Sequence, residues 1–353
     1  MKNLILKNVL YYLILAILFI SAFSFLKNIF LLDTKINSLY LQAVVNQSFS
    51  RKINFITLFF VGDIMLDRGV ELEIKKNGNS DFKFPFLKIE KDLKEADILF
   101  GNLEGPISDK GQKVGSIYSF RMDPKSIDGL LFAGFDILSV ANNHMFDYSR
   151  VAMEDTFSRL EKAGIDYVGG GFSETEAYSP VVKEINPSTG TSSEPQPNSS
   201  PKAKIAFLAF NDISAPSWEA KGERSGMALL DKDKLEASIK NAKNQADLVV
   251  VSMHFGDEYK TSPTLRQKTM ARFAIDSGAD LVVGHHPHVI EPIEKYKEGY
   301  IAYSLGNFIF DQNFSEETME GLILKVFVEN GKIKEVIPVE FKINQNFQPF
   351  LEI

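Results

Sequence analysis

Asp280-Leu281-Val282-Val283-Gly284-His285-His286-Pro287-His288-Val289-Ile290 decides how the rest of the chain is read. An apolar run of buried-strand length stops at Gly284, and three histidines follow within four positions. The chain has five histidines in all, and the other two, His144 and His254, also stand where apolar runs stop. Histidines scattered through a core do not gather at such boundaries.

Four other stretches repeat the pattern. Phe59-Phe60-Val61-Gly62 runs into Asp63, and Ile98-Leu99-Phe100-Gly101 runs into Asn102-Leu103-Glu104. Ile137-Leu138-Ser139-Val140-Ala141 runs into Asn142-Asn143-His144, and Leu248 to Ser252 into Met253-His254. Ligands of open α/β sheets bind beyond the carboxyl ends of the strands, so side chains at these ends can converge on one crevice. Taken singly, each has an ordinary alternative: a strand-end histidine in a hydrogen bond, a carboxylate that caps a helix. Together they supply the imidazole, carboxylate and amide oxygen that a dinuclear hydrolytic centre requires. Two divalent ions ~3.5–4 Å apart need a bridging carboxylate and mixed nitrogen and oxygen ligands. Asp63 and Glu104 are the candidate carboxylates, Asn143 the amide oxygen, and His254, His286 and His288 the imidazoles. His144, next to Asn143, is better suited to donate a proton or stabilise a transition state.

Composition sets the outer bounds. A chain of 353 residues accommodates one large α/β domain with appendages, and 44% hydrophobic with 24% charged residues is ordinary for a protein with a buried core. The net charge is −7; Lys2, Lys7 and Lys27 lie in a stretch without acids, so the remainder carries −10. That balance argues against duplex nucleic acid as a partner, which requires a basic face. The absence of cysteine excludes disulfides, thiolate zinc sites and cysteine nucleophiles, and leaves the compartment open.

From Asn8 to Leu26 there is no charged residue, and such a stretch as a helix spans roughly 28 Å, near the ~30 Å hydrocarbon core of a bilayer. The expectation is a membrane anchor over residues 1–30, cytoplasmic at its amino end, with the main domain outside the cytoplasm. A cleaved signal peptide is the alternative, but Ser21-Ala22-Phe23-Ser24 is a poor cleavage site and the apolar run is long. Residues 31–52 form a stalk and 53–345 the main domain. Within it, helices are expected over Ile64–Lys76, Pro85–Glu95, Pro124–Ala133, Val151–Ala163, Asp231–Ala246 and Pro263–Gly278, with Gly134 and Gly164 as stops. Gly169-Gly170-Gly171 reads as a loop. Residues 186–202, rich in Ser, Pro, Asn and Thr, form an exposed insertion that cannot bury apolar surface. Asn330-Gly331 between two apolar alternating runs predicts a type I′ hairpin. No internal repeat is seen.

Asn143-His144 followed by Phe146-Asp147-Tyr148, with the later His286-Pro287-His288, resembles the signatures of calcineurin-like metallophosphoesterases. Together with Gly62-Asp63-Ile64-Met65, Gly101-Asn102-Leu103-Glu104 and Tyr303-Ser304-Leu305-Gly306-Asn307-Phe308, they resemble the CapA/PgsA family of poly-γ-glutamate capsule proteins. The resemblance runs in order from about Leu58 to Ile343. It implies a four-layer α/β/β/α metallophosphoesterase-like sandwich, two divalent ions, and a role in making or exporting poly-γ-glutamate beside membrane-embedded synthase subunits. On this basis Asp147 and Arg68 join His144 as catalytic candidates, and Asn102, Arg121, His285 and Asn307 are candidate substrate contacts. Arg68 and Arg121 would offset the repulsion between an acidic protein and a polyanion, or else serve as solvated surface charge.

One departure bears on mechanism. Metallophosphoesterases begin with Asp-x-His, whereas Asp63-Ile64-Met65 places a thioether where the imidazole would be, and thioether sulfur is a poor partner for Mn²⁺, Mg²⁺ or Zn²⁺. One ion position is then weak or rebuilt, with His285 or Asn102 as substitutes. Three functions stand: a membrane-anchored component of polymer synthesis or export with a hydrolase-like metal site, a free-standing metal-dependent hydrolase of phosphoesters or wall polymers, and a non-catalytic scaffold for synthase subunits.

Overall fold

In the computed structural model, which describes residues 55–114, 117–185 and 203–352, the first strand sets the layering. β1 (Ile56–Ile64) is apolar on both faces, with Leu58 and Phe60 in one core and Phe59 and Val61 in another, because successive strand side chains point opposite ways. β2 (Ile98–Leu103), β3 (Ile137–Ser139) and β4 (Asp166–Val168) follow beside it in parallel. β5 (Gly170–Gly171), in the expected glycine loop, forms a small ribbon with a later strand.

The second sheet takes β6 (Val181–Ile185) and β7 (Ala203–Asn211); β8 (Gly226–Met227) is the partner of β5. It continues with β9 (Leu248–His254), β10 (Leu281–His285), β11 (Ile290–Tyr296) and β12 (Gly299–Leu305), in the order β11-β12-β10-β9-β7-β6. Its four inner strands are parallel and its two edge strands antiparallel to their neighbours. The chain then returns to the first sheet. On the side of β1 away from β2, β13 (Asn307–Ile309) pairs with the end of β1, and β14 (Glu320–Glu329), β15 (Lys332–Ile343) and β16 (Pro349–Phe350) add antiparallel pairings.

Three apolar cores separate helices, sheet, sheet and helices. Between the sheets Phe60, Phe100 and Phe207 form a column, with Phe100 stacked on Phe207 at 6.0 Å and 14°. Full burial of each such ring contributes about 1.5–3 kcal/mol. On the outer face of the first sheet lie helices Arg68–Lys76, Ser126–Ala133 and Ser149–Ala163, through Val70, Leu130 and Phe157 among others. Lys232–Lys243 and Leu265–Asp276 cover the second sheet through Ile239 and Ala271.

Local chemistry explains most boundaries. Gly134 (φ 89°) and Gly164 (φ 76°) stop their helices in the left-handed conformation that side chains resist. Asp231 caps its helix by accepting from the amides of Asp233 and Lys234, and Thr264 with Gln267 forms a capping box. Asn330 (φ 53°) and Gly331 (φ 72°) make the two-residue turn with both positions left-handed. The helix expected over Pro85–Glu95 is instead a 3₁₀ turn, Phe84–Phe86, and one α turn, Glu90–Leu93. Overlapping three-residue bonds from Phe86 to Lys83 and Ile89 to Phe86 tighten the segment, burying Phe86, Ile89 and Leu93 without a continuous helix.

The anchor, the stalk and the insertion at 186–202 lie outside the described residues. Among those described, no helix is long and apolar enough to cross a membrane. Ile185 pairs with Ala203 in the antiparallel β6–β7 edge, so the insertion connects the two arms of a hairpin.

Candidate metal centre

The five strand ends do meet. Asp63 closes β1, Glu104 follows β2, Asn142-Asn143-His144 follow β3, His254 closes β9, and His285-His286-Pro287-His288 leave β10. Glycine makes two of these endings possible. A Cβ on Gly62 would lie 1.9 Å from the Gly306 carbonyl oxygen, and one on Gly284 would lie 1.8 Å from that of Tyr303. The neighbouring backbone occupies the place of a side chain, and Asp63 donates its amide to that same Gly306 carbonyl. His286 (φ 98°) and His288 (φ 58°) hold left-handed backbone, which non-glycine residues keep only where their surroundings impose it.

Asp63 is the hub. Its Oδ1 accepts from Asn102 Nδ2 (2.8 Å) and its Oδ2 from the His286 amide (3.2 Å). His288 Nδ1 lies 3.2 Å from Oδ2, and His285 Nδ1 lies 3.5 Å from Oδ1. Burial alone would raise the Asp63 carboxyl, but the imidazoles of His285 and His288 hold it well below the usual carboxylate range. Glu104 behaves oppositely. Burial, reinforced by the charge on Asp63, pushes it well above that range. His254 is driven well below the usual imidazole range by burial and then by His286, and burial takes His286 down to about 3.

Burial thus disfavours charge on Glu104, His254 and His286, while Asp63 is held as the carboxylate among them. Asp63, Glu104 and His254 each present a ligand atom, all within 4.8 Å of one another, and Glu258, His286 and His288 form a second such group. Asn102 Nδ2 sits between acceptors of the first group, 2.8 Å from Asp63 and 3.4 Å from both Glu104 and His254. Glu104 Oε1 and His286 Nδ1 are buried without a hydrogen-bond partner. Buried acceptors left unpaired are costly, and a divalent cation among carboxylate and imidazole donors satisfies several at once. The residues present fit such an ion.

Asn143 Oδ1 accepts from His254 Nε2 at 2.8 Å, so it stands at the edge of the first group. His144 donates from Nδ1 to Asp147 Oδ2 (2.7 Å), which also accepts the Phe120 amide (2.8 Å). This leaves His144 Nε2 3.8 Å from Glu104 Oε1, facing the centre.

Asn102, His285 and Asn307, expected as substrate contacts, are all buried. Asn102 bonds to the carboxylates, and His285 packs on Phe100 beside Asp63. Asn307 accepts from His288 Nδ1 (3.0 Å) and donates to Gln312 and the Thr318 carbonyl, so it orients an imidazole from behind. Arg68 is paired with Asp311 (2.8 Å) and lies over Phe120, whose ring in turn packs on His144 at 4.1 Å. Arg121 lies over Tyr148 and donates to the Lys110 carbonyl.

Met65 is engaged elsewhere. It is buried in the helix-side core, and its sulfur accepts the Asp67 amide at 3.2 Å. Glu258 escaped sequence reasoning. Its signal was an acid four positions beyond His254, past Gly256, in a loop that only the fold brings back over the histidines.

The profile described as bacterial capsule synthesis protein PGA_cap matches residues 57–312. The PGA biosynthesis protein CapA of Bacillus subtilis (strain 168) is 35% identical over 285 residues, covering 80% of this chain and 70% of that protein. The capsule biosynthesis protein CapA of Bacillus anthracis is 33% identical over 296 residues, covering 81% and 68% respectively. Among solved structures, a novel phosphatase from Mycoplasma pneumoniae aligns at 16% identity and a TM-score of 0.48, over 82% of this chain and 94% of that one.

Proposed function

The chain belongs to the PGA_cap family of bacterial capsule synthesis proteins, and from that premise we propose that it is a membrane-anchored, metal-dependent component of poly-γ-glutamate synthesis or export. One observation carries the chemical part: ligand-type side chains from two sheets converge around buried, unpaired acceptors. The uncharged run from Asn8 to Leu26 supports the anchor, a single pass with the main domain outside the cytoplasm. The relatives' names, capsule biosynthesis and PGA biosynthesis protein, support the polymer, and the partners in this reading are membrane-embedded synthase subunits. The metallophosphoesterase type of site is supported by the ligand set itself.

Asp63, Glu104 and His254 would hold one ion, and His286 and His288 would border the other. When bound, divalent ions supply Lewis acidity toward a phosphoryl or amide oxygen. His144 carries the proton step. Asp147 fixes its tautomer, leaving Nε2 turned to the centre, where it can give a proton to a leaving group or take one from an attacking water. Asn307 keeps His288 oriented, and the buried wall of Asn102, Asn142 and His285 excludes water from behind Asp63.

Metal content of the purified full-length protein, measured by mass spectrometry beside a screen on phosphoester and γ-glutamyl substrates, tests this. Bound transition metal in the wild type, and its loss in His254→Ala and His286→Ala with the fold intact, is the expected outcome. Equal metal content in all three proteins would leave a scaffold whose histidines serve the loops.

A further inference from the structure

Glu258 is the acid near the centre to which the proposed function gives no role. It follows β9 in an exposed loop, yet its carboxylate lies within 4.8 Å of ligand atoms of His286 and His288, both buried. Backbone bonds hold it there. Phe255 donates to the His285 carbonyl (3.1 Å) and Tyr259 to the Pro287 carbonyl (2.8 Å), so the loop runs beside the histidine segment as two further rungs beyond the strand ends. Tyr259, on left-handed backbone (φ 60°), is also fixed through its hydroxyl, which accepts from Gln312 at 3.1 Å.

We infer that Glu258 completes a second ion position with His286 and His288, in place of the imidazole that Met65 does not supply. The inference rests on the proposed metal-dependent function and refines it. His286 Nδ1, buried and unpaired, is the second feature that asks for a cation here. One carboxylate and two imidazoles form a mixed oxygen and nitrogen set suited to divalent first-row metals. The two positions are unequal. Asp63, Glu104 and His254 are all buried, whereas the second position opens to solvent through an exposed carboxylate. The first ion is therefore retained and the second exchanges.

The test uses the full-length protein in detergent, stripped with chelator and titrated with Mn²⁺ by calorimetry, with electron paramagnetic resonance to detect coupling between neighbouring ions. The wild type should take two Mn²⁺ and show a coupled spectrum. Glu258→Gln, at an exposed position, should keep the tight ion at wild-type affinity, weaken the second on the order of 10-fold or more, and lose the coupling. Glu258→Asp should recover part of the second affinity, and His254→Ala should lose the tight ion instead. Two coupled Mn²⁺ of undiminished affinity in Glu258→Gln would overturn the inference while leaving the metal-dependent function standing. A wild type that binds no Mn²⁺ would overturn both.

Discussion

The two sheets contribute different elements to the centre. β1, β2 and β3 end in oxygen donors, Asp63, Glu104 and Asn143, whereas β9 and β10 lead into nitrogen donors, His254, His286 and His288. The oxygen side is built from strand ends whose register shifts at Asp63 and which Asn102 and Asn142 tie together. The nitrogen side depends on left-handed backbone at His286 and His288 and on glycine at Gly284, against which Tyr303 closes. The Asp63, Glu104 and His254 group draws on both sheets, whereas Glu258, His286 and His288 all follow strands of the second. The core between them, although it touches no substrate, is what assembles the site.

The largest effect should come from loosening that core. Phe207→Ala removes the ring stacked on Phe100 and should cost about 3–5 kcal/mol in denaturant unfolding. Metal affinity should fall with it. If the variant binds metal as tightly as the wild type, one sheet suffices and the division of labour is mistaken.

Next in size is the proton step, which belongs to the oxygen side despite being an imidazole. His144→Ala should lower turnover about 10²-fold, or ~2.7 kcal/mol, with metal content unchanged. Asp147→Asn should lose less. Loss of metal in His144→Ala would make His144 a ligand and move it to the other side of the comparison.

A smaller effect sharpens the nitrogen side, where a buried carboxyl lies beneath the loop of Glu258. Glu291 Oε2 accepts from Gln267 (2.6 Å), and Gln267 in turn accepts the Thr264 amide (2.7 Å). Burial pushes the Glu291 carboxyl from its ordinary 4.5 up to about 7. Between those values the folded protein keeps a proton that the unfolded chain has released. This contribution to stability is thus complete below the lower value and is lost as pH rises through the upper one. Melting temperatures measured across that window should decline less with pH in Glu291→Gln than in the wild type. Parallel profiles would show that Glu291 is ionised in the fold.

The smallest change is expected farthest from either ligand set. Replacing residues 189–199 by a short Gly-Ser link shortens a connection between two paired hairpin arms, and loop closure depends only logarithmically on length. The melting temperature should barely move; a large drop would show that the segment packs.

Local features were legible because they are written in adjacent residues. Asn330-Gly331 names its own turn, Gly134 and Gly164 their helix ends, and the five apolar runs carried their polar endings with them. The Pro85–Glu95 segment misled because its apolar spacing fits a helix equally well, while packing chose two short turns. Glu258 and the burial of Asn102, His285 and Asn307 were hidden for another reason. Each depends on a neighbour distant in sequence: Pro287 above Tyr259, His254 beside Asn102, His288 against Asn307. The return of the last strands to the first sheet was hidden likewise, since nothing local distinguishes which sheet a strand will join.

The bond from the His286 amide to Asp63 crosses 223 positions of chain. Contacts so remote form slowly, after the local ones. The centre is consequently a late product in the life of each molecule. A nascent chain that has emerged only as far as Asn143 has the oxygens and none of the three imidazole ligands. Metal uptake by this protein is a clock as well as a chemical event, marking the moment at which the two halves have closed.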